Sequence, residues 1–504
     1  MTHCESNRRR VIVVGGGNAG LCAAISARES GAEVVVLERA PMELRGGNGA
    51  FTAGAMRFAY ESVDEIRQLV PDISSDTLER TDFGSYPADA FLDDIARVTE
   101  YRADPELAGS LVSSSFATLK WMAAHGIRFG PILGRQAYQV DGRFVFWGGL
   151  TLEVVGGGVG LIDQLSAEAS RMGVDIRYRH RALAVLQDGN QISGVRVRTP
   201  AGIEDLPAAA VILAAGGFQA NPEWRARYLG PGWDLAKVRG TRYDTGDGIR
   251  MAIKVGAATA GNWSGCHAVA WDLNAPEFGD LAVGDGFQKH SYPLGILVNR
   301  NGHRFVDEGE DFRNYTYAKL GRAILGQPGY CAWQIFDAKV SHLLRDEYRI
   351  REVTRYRADT LEGLARMIEE LDAEAFLRTV ETYNRAVRQE VRFDPNVKDG
   401  RAAVGIHPPK SNWANPLDTP PYEAYAVTCG ITFTFGGVRI DKEARVIDQE
   451  GAPIGGLFAC GEMTGGLFYF NYPGGSGLTA GSVFGRAAGR HAAELAVAAV
   501  PASG

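Results

Sequence analysis

A chain of 504 residues with 45% hydrophobic and 22% charged residues has the make-up of a water-soluble globular protein, either two domains or one large domain with an insertion. Its net charge of −7 argues against nucleic acid as a partner, and no stretch is long and apolar enough to span a bilayer. The six cysteines, Cys4, Cys22, Cys266, Cys331, Cys429 and Cys460, form no C-x-x-C pair, so they read as reduced thiols of a cytoplasmic protein and no metal or iron–sulfur centre is expected.

The basic triplet Arg8-Arg-Arg10 precedes only four apolar residues before a glycine turn, so it opens a strand and not an export signal. That strand, Val11 to Val14, runs into Gly15-Gly-Gly17-Asn18-Ala19-Gly20. Glycines at positions 15, 17 and 20 turn the chain into a helix whose free N–H groups suit a pyrophosphate. The next strand, Glu33 to Glu38, ends in an acid at roughly the 20-residue distance where a carboxylate meets a ribose hydroxyl, with Arg39 beside it. A second glycine loop, Arg45-Gly46-Gly47-Asn48 to Gly54, fits a longer cofactor lying along it, or else a surface turn.

Residues 62–105 are polar and turn-rich, and Glu106 to His125 has the spacing of an amphipathic helix stopped by Gly126. A helix over Leu161–Met172 leads to a strand at Val174–Tyr178. Strands near Ala182–Leu186, Ile192–Arg198 and Ile203–Leu206 then form an antiparallel meander. Ala209 to Phe218 is a buried strand expected beside the first, with Ala215 and Gly216 facing the cofactor. Asp244-Thr-Gly-Asp247-Gly248 opens a helix, where Asp247 either caps the helix or touches the cofactor. Composition changes over 262–432, with helices expected at Thr360–Leu371 and Ala373–Glu390. This predicts an inserted domain between a first cofactor-binding part, 8–261, and a second, 433–500. Leu457 to Glu462 repeats the pattern of buried strand then glycine. A last helix over Leu478–Ala498 carries Gly481, Gly485 and Gly489 on one stripe, which predicts backbone-close packing on something flat. Its positive N-terminal end would stabilise the pyrimidine side of a reduced isoalloxazine.

These pieces resemble the flavoproteins of the fumarate reductase, succinate dehydrogenase and L-aspartate oxidase family. The matching segments, in family order, are the first glycine turn with Glu38, Gly46-Gly47-Asn48, Ala215-Gly-Gly-Phe218, Thr245-Gly-Asp-Gly248, Gly436-Gly437, Gly461-Glu462 and Gly474-Gly-Ser476. The resemblance implies an α/β, α+β overall, fold: a Rossmann-like FAD-binding domain of the glutathione-reductase type with an inserted capping domain. It also implies Glu38 on the adenosine ribose, Glu462 on the ribityl chain, and Ser476 and Leu478 near the flavin ring. Succinate dehydrogenases attach flavin through a histidine in the second glycine loop. Gly47–Gly54 has none, so a noncovalent FAD is expected.

Within the family the chain is most similar to tricarballylate dehydrogenase-like flavoproteins, through Asn262 to His267, Asp307-Glu308, Phe312-Arg-Asn-Tyr-Thr316, Cys429 to Gly437 and Gly466 to Gly475. The flavoprotein part of a cobalamin-pathway enzyme shares much of this. Two positions depart from fumarate reductase: a substrate-binding histidine is Phe433, and a carboxylate-clamping arginine is Tyr472. Tyr472-Pro-Gly also resembles ketosteroid Δ1-dehydrogenases in part.

The expected reaction is FAD-dependent desaturation of a C–C bond α,β to a carboxylate or carbonyl. Tricarballylate or a similar polycarboxylate is the leading substrate and a cyclic ketone of the oxocyclohexane type the alternative. Electrons would leave to an acceptor that includes, as one option, a membrane redox protein. Arg313 is the proton-handling candidate by resemblance, or else pairs with Glu308, Glu310 or Asp311. His267 is a carboxylate ligand or a core histidine. Tyr472 donates to an enolate oxygen or packs on the flavin, and Arg57 and Tyr317 are weaker candidates.

Overall fold

Four consecutive β-branched residues favour an extended chain buried on both faces, and Arg10–Val14 forms the middle of the larger sheet. The computed structural model describes residues 9–498; Cys4, Arg8 and the last positions of the expected 433–500 segment lie outside them. Five neighbouring strands run parallel in the order Pro453–Ala459, Ala210–Leu213, Arg10–Val14, Glu33–Glu38 and Asp175–Tyr178. The expected meander is present as Arg181–Asp188, Gln191–Thr199 and Gly202–Pro207, and it extends the sheet past Pro453–Ala459. The first strand pairs on one side with the next strand in sequence and on the other with Ala210–Leu213. At such a change of direction in strand order, a crevice opens beyond the carboxyl ends of the strands.

Gly15 occupies the left-handed region at φ +110°, and a Cβ there would stand 2.3 Å from the Ala214 carbonyl oxygen. The turn thus requires glycine for both conformation and space. The chain then enters the first helix, Asn18–Glu29. The last helix, Ser476–Ala498, starts two residues before the expected Leu478. The glycine stripe, expected against something flat, meets another helix. A Cβ at Gly485 would lie 2.4 Å from the Ala19 carbonyl oxygen and one at Gly489 2.2 Å from that of Ala23, so the stripe seats against the first helix.

A second sheet is built on Tyr422–Val438, which pairs antiparallel with Thr259–Asp272, Cys331–Phe336 and Arg355–Ala358, and parallel with Lys237–Val238. The expected divisions at 261/262 and 432/433 both fall inside strands of this sheet. Two helices flank it. Thr360 caps Leu361–Met367 and Asp372 caps Ala373–Ala386. The second ends short of Glu390 because Val387 turns extended and bridges to Ala403. Pro105–Ala124 is capped by Asp104, which accepts the N–H groups of Glu106 and Leu107.

Gly485→Val should destabilise the protein by about 1–3 kcal/mol, because the helix pair has no room for the new carbons. Gly109→Ala, at a helix-interior site with nothing within 4 Å of the added carbon, should stabilise it by roughly 0.5–1 kcal/mol. Urea unfolding of the two variants beside the wild type checks both signs.

Candidate active site

One cleft follows the crevice from the first glycine turn to the second sheet, enclosing about 2060 Å³ of non-protein space with the solvent at its mouth included. Gly15, Gly17, Asn18 and Ala19 line its start. Gly17 caps the first helix without any side-chain hydrogen bond, so the leading amides remain free for an anion. Gly20 lies behind the wall, where a Cβ would meet the Gly15 carbonyl oxygen at 2.0 Å; its part is tight packing of helix on strand.

Glu38 accepts the N–H of Gly16 at 2.9 Å and of Ala40 at 2.7 Å, which fixes its carboxylate on the cleft wall with acceptor capacity left for hydroxyls. Burial raises its pKa against the effect of those two bonds. Arg39 donates to the Tyr243 carbonyl, Thr245 and Asp247. Asp247 also receives Arg181 and Arg250, so it is the hub of an arginine cluster on the cleft wall and does not cap its helix.

Gly46, Gly47 and Asn48 line the next stretch. Asn48 donates to the Thr432 carbonyl at 2.5 Å and accepts the Thr241 N–H at 2.9 Å, tying the second glycine loop to the second sheet. Ala215, Gly216, Glu462 and Leu478 also face the cleft. Glu462 accepts the Thr434 N–H at 3.3 Å and shares the Gln219 amide with Asp244. Burial raises the pKa of both acids, helped at Asp244 by the nearby Glu38 and at Glu462 by Asp244. Ser476 does not reach the cleft: fully buried, it donates to the Pro473 carbonyl at 2.5 Å within the turn that starts the last helix.

At the far end the second sheet presents His267, whose two ring nitrogens are buried without partners. Its ring lies 4.9 Å from those of Tyr317 and Tyr472 and 5.2 Å from that of Phe433. The Tyr317 and Tyr472 hydroxyls are hydrogen-bonded to each other, and burial raises the pKa of both. One proton lies between the two oxygens, leaving the other for an acceptor in the cleft. Arg313 pairs with none of the three acids considered from sequence. Glu308 holds Arg304, Glu310 holds Lys319, and Asp311 holds Arg97 and Lys398. Instead Arg313 donates to the Arg135 carbonyl at 2.6 Å and stands 3.5 Å from His290 Nδ1. Burial and the nearby Arg345 push its pKa down to about 10. Arg57 is pinned behind the wall by the Gly474 and Gly148 carbonyls, with its guanidinium over the rings of Tyr86 and Tyr315.

Sequence inspection passed over Arg239, His290, Asn314 and Arg345, all of which line this end. Only Asn314 lay inside a quoted motif; the others carry no local signal. Among the described residues no three or more His, Cys, Asp or Glu side chains converge as a metal would need, and no helix is long and apolar enough to cross a membrane.

A cleft with an uncapped helix start, a buried ribose-height acid and a second acid further along has the build of a dinucleotide-dependent oxidoreductase. Residues 10–478 match the family model described as FAD binding domain. The chain is 30% identical over 498 residues to a probable fumarate reductase, Ifc3, of Shewanella frigidimarina, covering 98% of this chain and 76% of the relative. It is 28% identical over 562 residues to the 4-oxocyclohexanecarboxylate 2-dehydrogenase of Sinomonas cyclohexanicum, covering 95% and 92%. The open conformation of a flavocytochrome c3 fumarate reductase superposes with a TM-score of 0.72 at 27% identity, over 97% of this chain and 78% of that one. The chain belongs to the FAD-binding family of fumarate reductase-like flavoproteins. It is an FAD-dependent oxidoreductase acting on CH–CH groups.

Burial, reinforced at His267 by Arg239 and at His290 by Arg313 and Arg345, holds both histidines well below the ordinary 6.5. Below pH 6.5 the unfolded chain therefore binds protons that the folded one does not, and stability is lost as pH falls, by about 1.4 kcal/mol per unit for each histidine. The drop in unfolding free energy between pH 7.5 and 5.5 should be smaller in His267→Phe than in the wild type, as measured by urea titration at the two pH values.

Proposed function

We propose that the enzyme desaturates a polycarboxylate, with tricarballylate as the leading substrate, using FAD held without a covalent bond. The observation that carries this is a charge imbalance. Arg239 and Arg313 are buried in the cleft, and among the described residues neither has a carboxylate within ion-pair distance. An unpaired buried charge costs several kcal/mol, and an anionic substrate supplies the counter-charge. Bound FAD would supply the oxidising partner, taking two electrons with the hydrogen of the β-carbon.

This chain's own residues do the rest. Arg239, beside His267 and Tyr472, holds the carboxylate next to the reacting carbons. Tyr472, with its hydroxyl oriented by Tyr317, donates to the oxygen on which enolate charge develops. Arg313 passes a proton to solvent as the substrate binds and, as the neutral guanidine, takes the α-proton and returns to the guanidinium. Its lowered pKa brings a guanidinium closer to proton exchange at neutral pH, and its bond to the Arg135 carbonyl fixes its direction. Phe433 and Phe468 close the cleft with apolar surface and exclude water. The segment around 262–432 serves as the capping domain, and the electrons pass on to a separate acceptor.

A second function is favoured by the tyrosine pair. A linked phenol pair with one free proton also suits a ketone oxygen, and one relative is named for an oxocyclohexane carboxylate. On that account the same residues desaturate a cyclic ketone beside its carbonyl.

Anaerobic mixing separates the two. Tricarballylate should bleach the visible flavin band and a simple cyclohexanone should not; the reverse result selects the ketone. Arg313→Gln should bind tricarballylate, seen as a shifted flavin spectrum, yet bleach at least about 100-fold more slowly, the scale of a lost general acid–base group.

A further inference from the structure

We propose that Asn314 reads the imide edge of the flavin, its carboxamide accepting the N3–H and donating to a neighbouring ring carbonyl. The inference concerns the cofactor alone and does not depend on which substrate the enzyme desaturates.

Asn314 is 1% exposed and lines the cleft, yet neither its side-chain oxygen nor its side-chain nitrogen finds a hydrogen-bond partner among the described residues. Burying both ends of an amide unpaired is costly, so the group is kept for a ligand. The backbone that carries it is tied twice to the turn before the last helix. The Gly474 N–H donates to the Asn314 carbonyl at 2.9 Å, and the Asn471 side chain donates to the Tyr315 carbonyl at 2.6 Å. The Tyr315 hydroxyl is held in turn by Asp94 at 2.6 Å. The carboxamide therefore starts from a fixed point beside Gly474, just before the helix Ser476–Ala498, whose positive end suits the pyrimidine side of the ring.

The chemistry of the unpaired atoms selects the ligand. An amide that lacks both a donor and an acceptor calls for a group that supplies both. A fully ionised polycarboxylate and a cyclic ketone only accept. The isoalloxazine imide donates from N3 and accepts at the carbonyl oxygens on either side of it. Negative charge grows on this pyrimidine ring when flavin is reduced, so a neutral donor aimed at it favours the reduced form.

Two readouts on the FAD-loaded enzyme test the assignment: the resonance Raman band of the flavin N3–H bend, which moves with hydrogen bonding, and the redox equilibrium with a reference dye. In Asn314→Leu the N3–H band should move toward its position in a solvent without acceptors. The dye equilibrium should shift about 10-fold toward oxidised flavin, the scale of one buried hydrogen bond. If Asn314→Leu emerges without flavin, Asn314→Ala carries the test and should move both readouts in the same directions. A variant with the wild-type Raman band and the wild-type dye equilibrium overturns the assignment. So does one whose flavin is unchanged while tricarballylate binds more weakly, which gives the carboxamide to the substrate. A wild type that tricarballylate fails to bleach overturns the polycarboxylate function and leaves shifts in the two flavin readouts as support for Asn314.

Discussion

The contact on which the rest of the molecule depends is the seating of the last helix on the first. Gly485 and Gly489 let the two backbones meet at distances no side chain would allow. Asn18 adds a polar clasp, donating to the Leu478 carbonyl at 2.9 Å and accepting from Ser482 at 3.2 Å. Residues 460 or more positions apart are thereby fixed side by side, and the starts of both helices face one cleft. Two positive helix ends in register give an elongated anionic cofactor its long axis before any side chain is considered.

From that axis the cleft divides by chemistry. The half along the glycine turns carries acids suited to hydroxyl groups: Glu38, Asp244 and Glu462. The half against the second sheet carries arginines, neutral histidines and paired phenols. Arg135 is neutralised by Asp285 in a two-pronged pair, at 2.6 and 3.0 Å, whereas Arg239 and Arg313 are not neutralised. Uncompensated charge is thus concentrated at the end where the substrate is proposed to bind, and the phenol pair adds a donor without adding charge.

Much of this was legible in the sequence where the cause is local. A β-branched run, a glycine turn and an acid at fixed spacing define the parallel core and one end of the cleft, because strand burial and turn geometry are properties of neighbouring residues. The glycine stripe was equally visible, but its partner was not, since nothing near residue 485 names the helix at residue 18. The Ser476 hydroxyl is turned from the cleft because it bonds back into its own turn, a choice made by local geometry that the motif does not encode. The substrate end was the least legible. Arg239, His290 and Arg345 come from three separate segments, and only the pairing of long strands brings them to one cleft. The same nonlocal pairing blurred the edges expected for the inserted domain.

The strand Tyr422–Val438 has a further meaning for how such an enzyme diverges. On one uninterrupted backbone, the Thr432 carbonyl engages Asn48, Phe433 faces His267 and Tyr472, and the Thr434 N–H engages Glu462. The proposed seats of the cofactor and of the substrate therefore share one ruler, and sliding it by a single residue would move both. New specificity is left to exchanges of side chains at fixed stations, as at Phe433 and Tyr472.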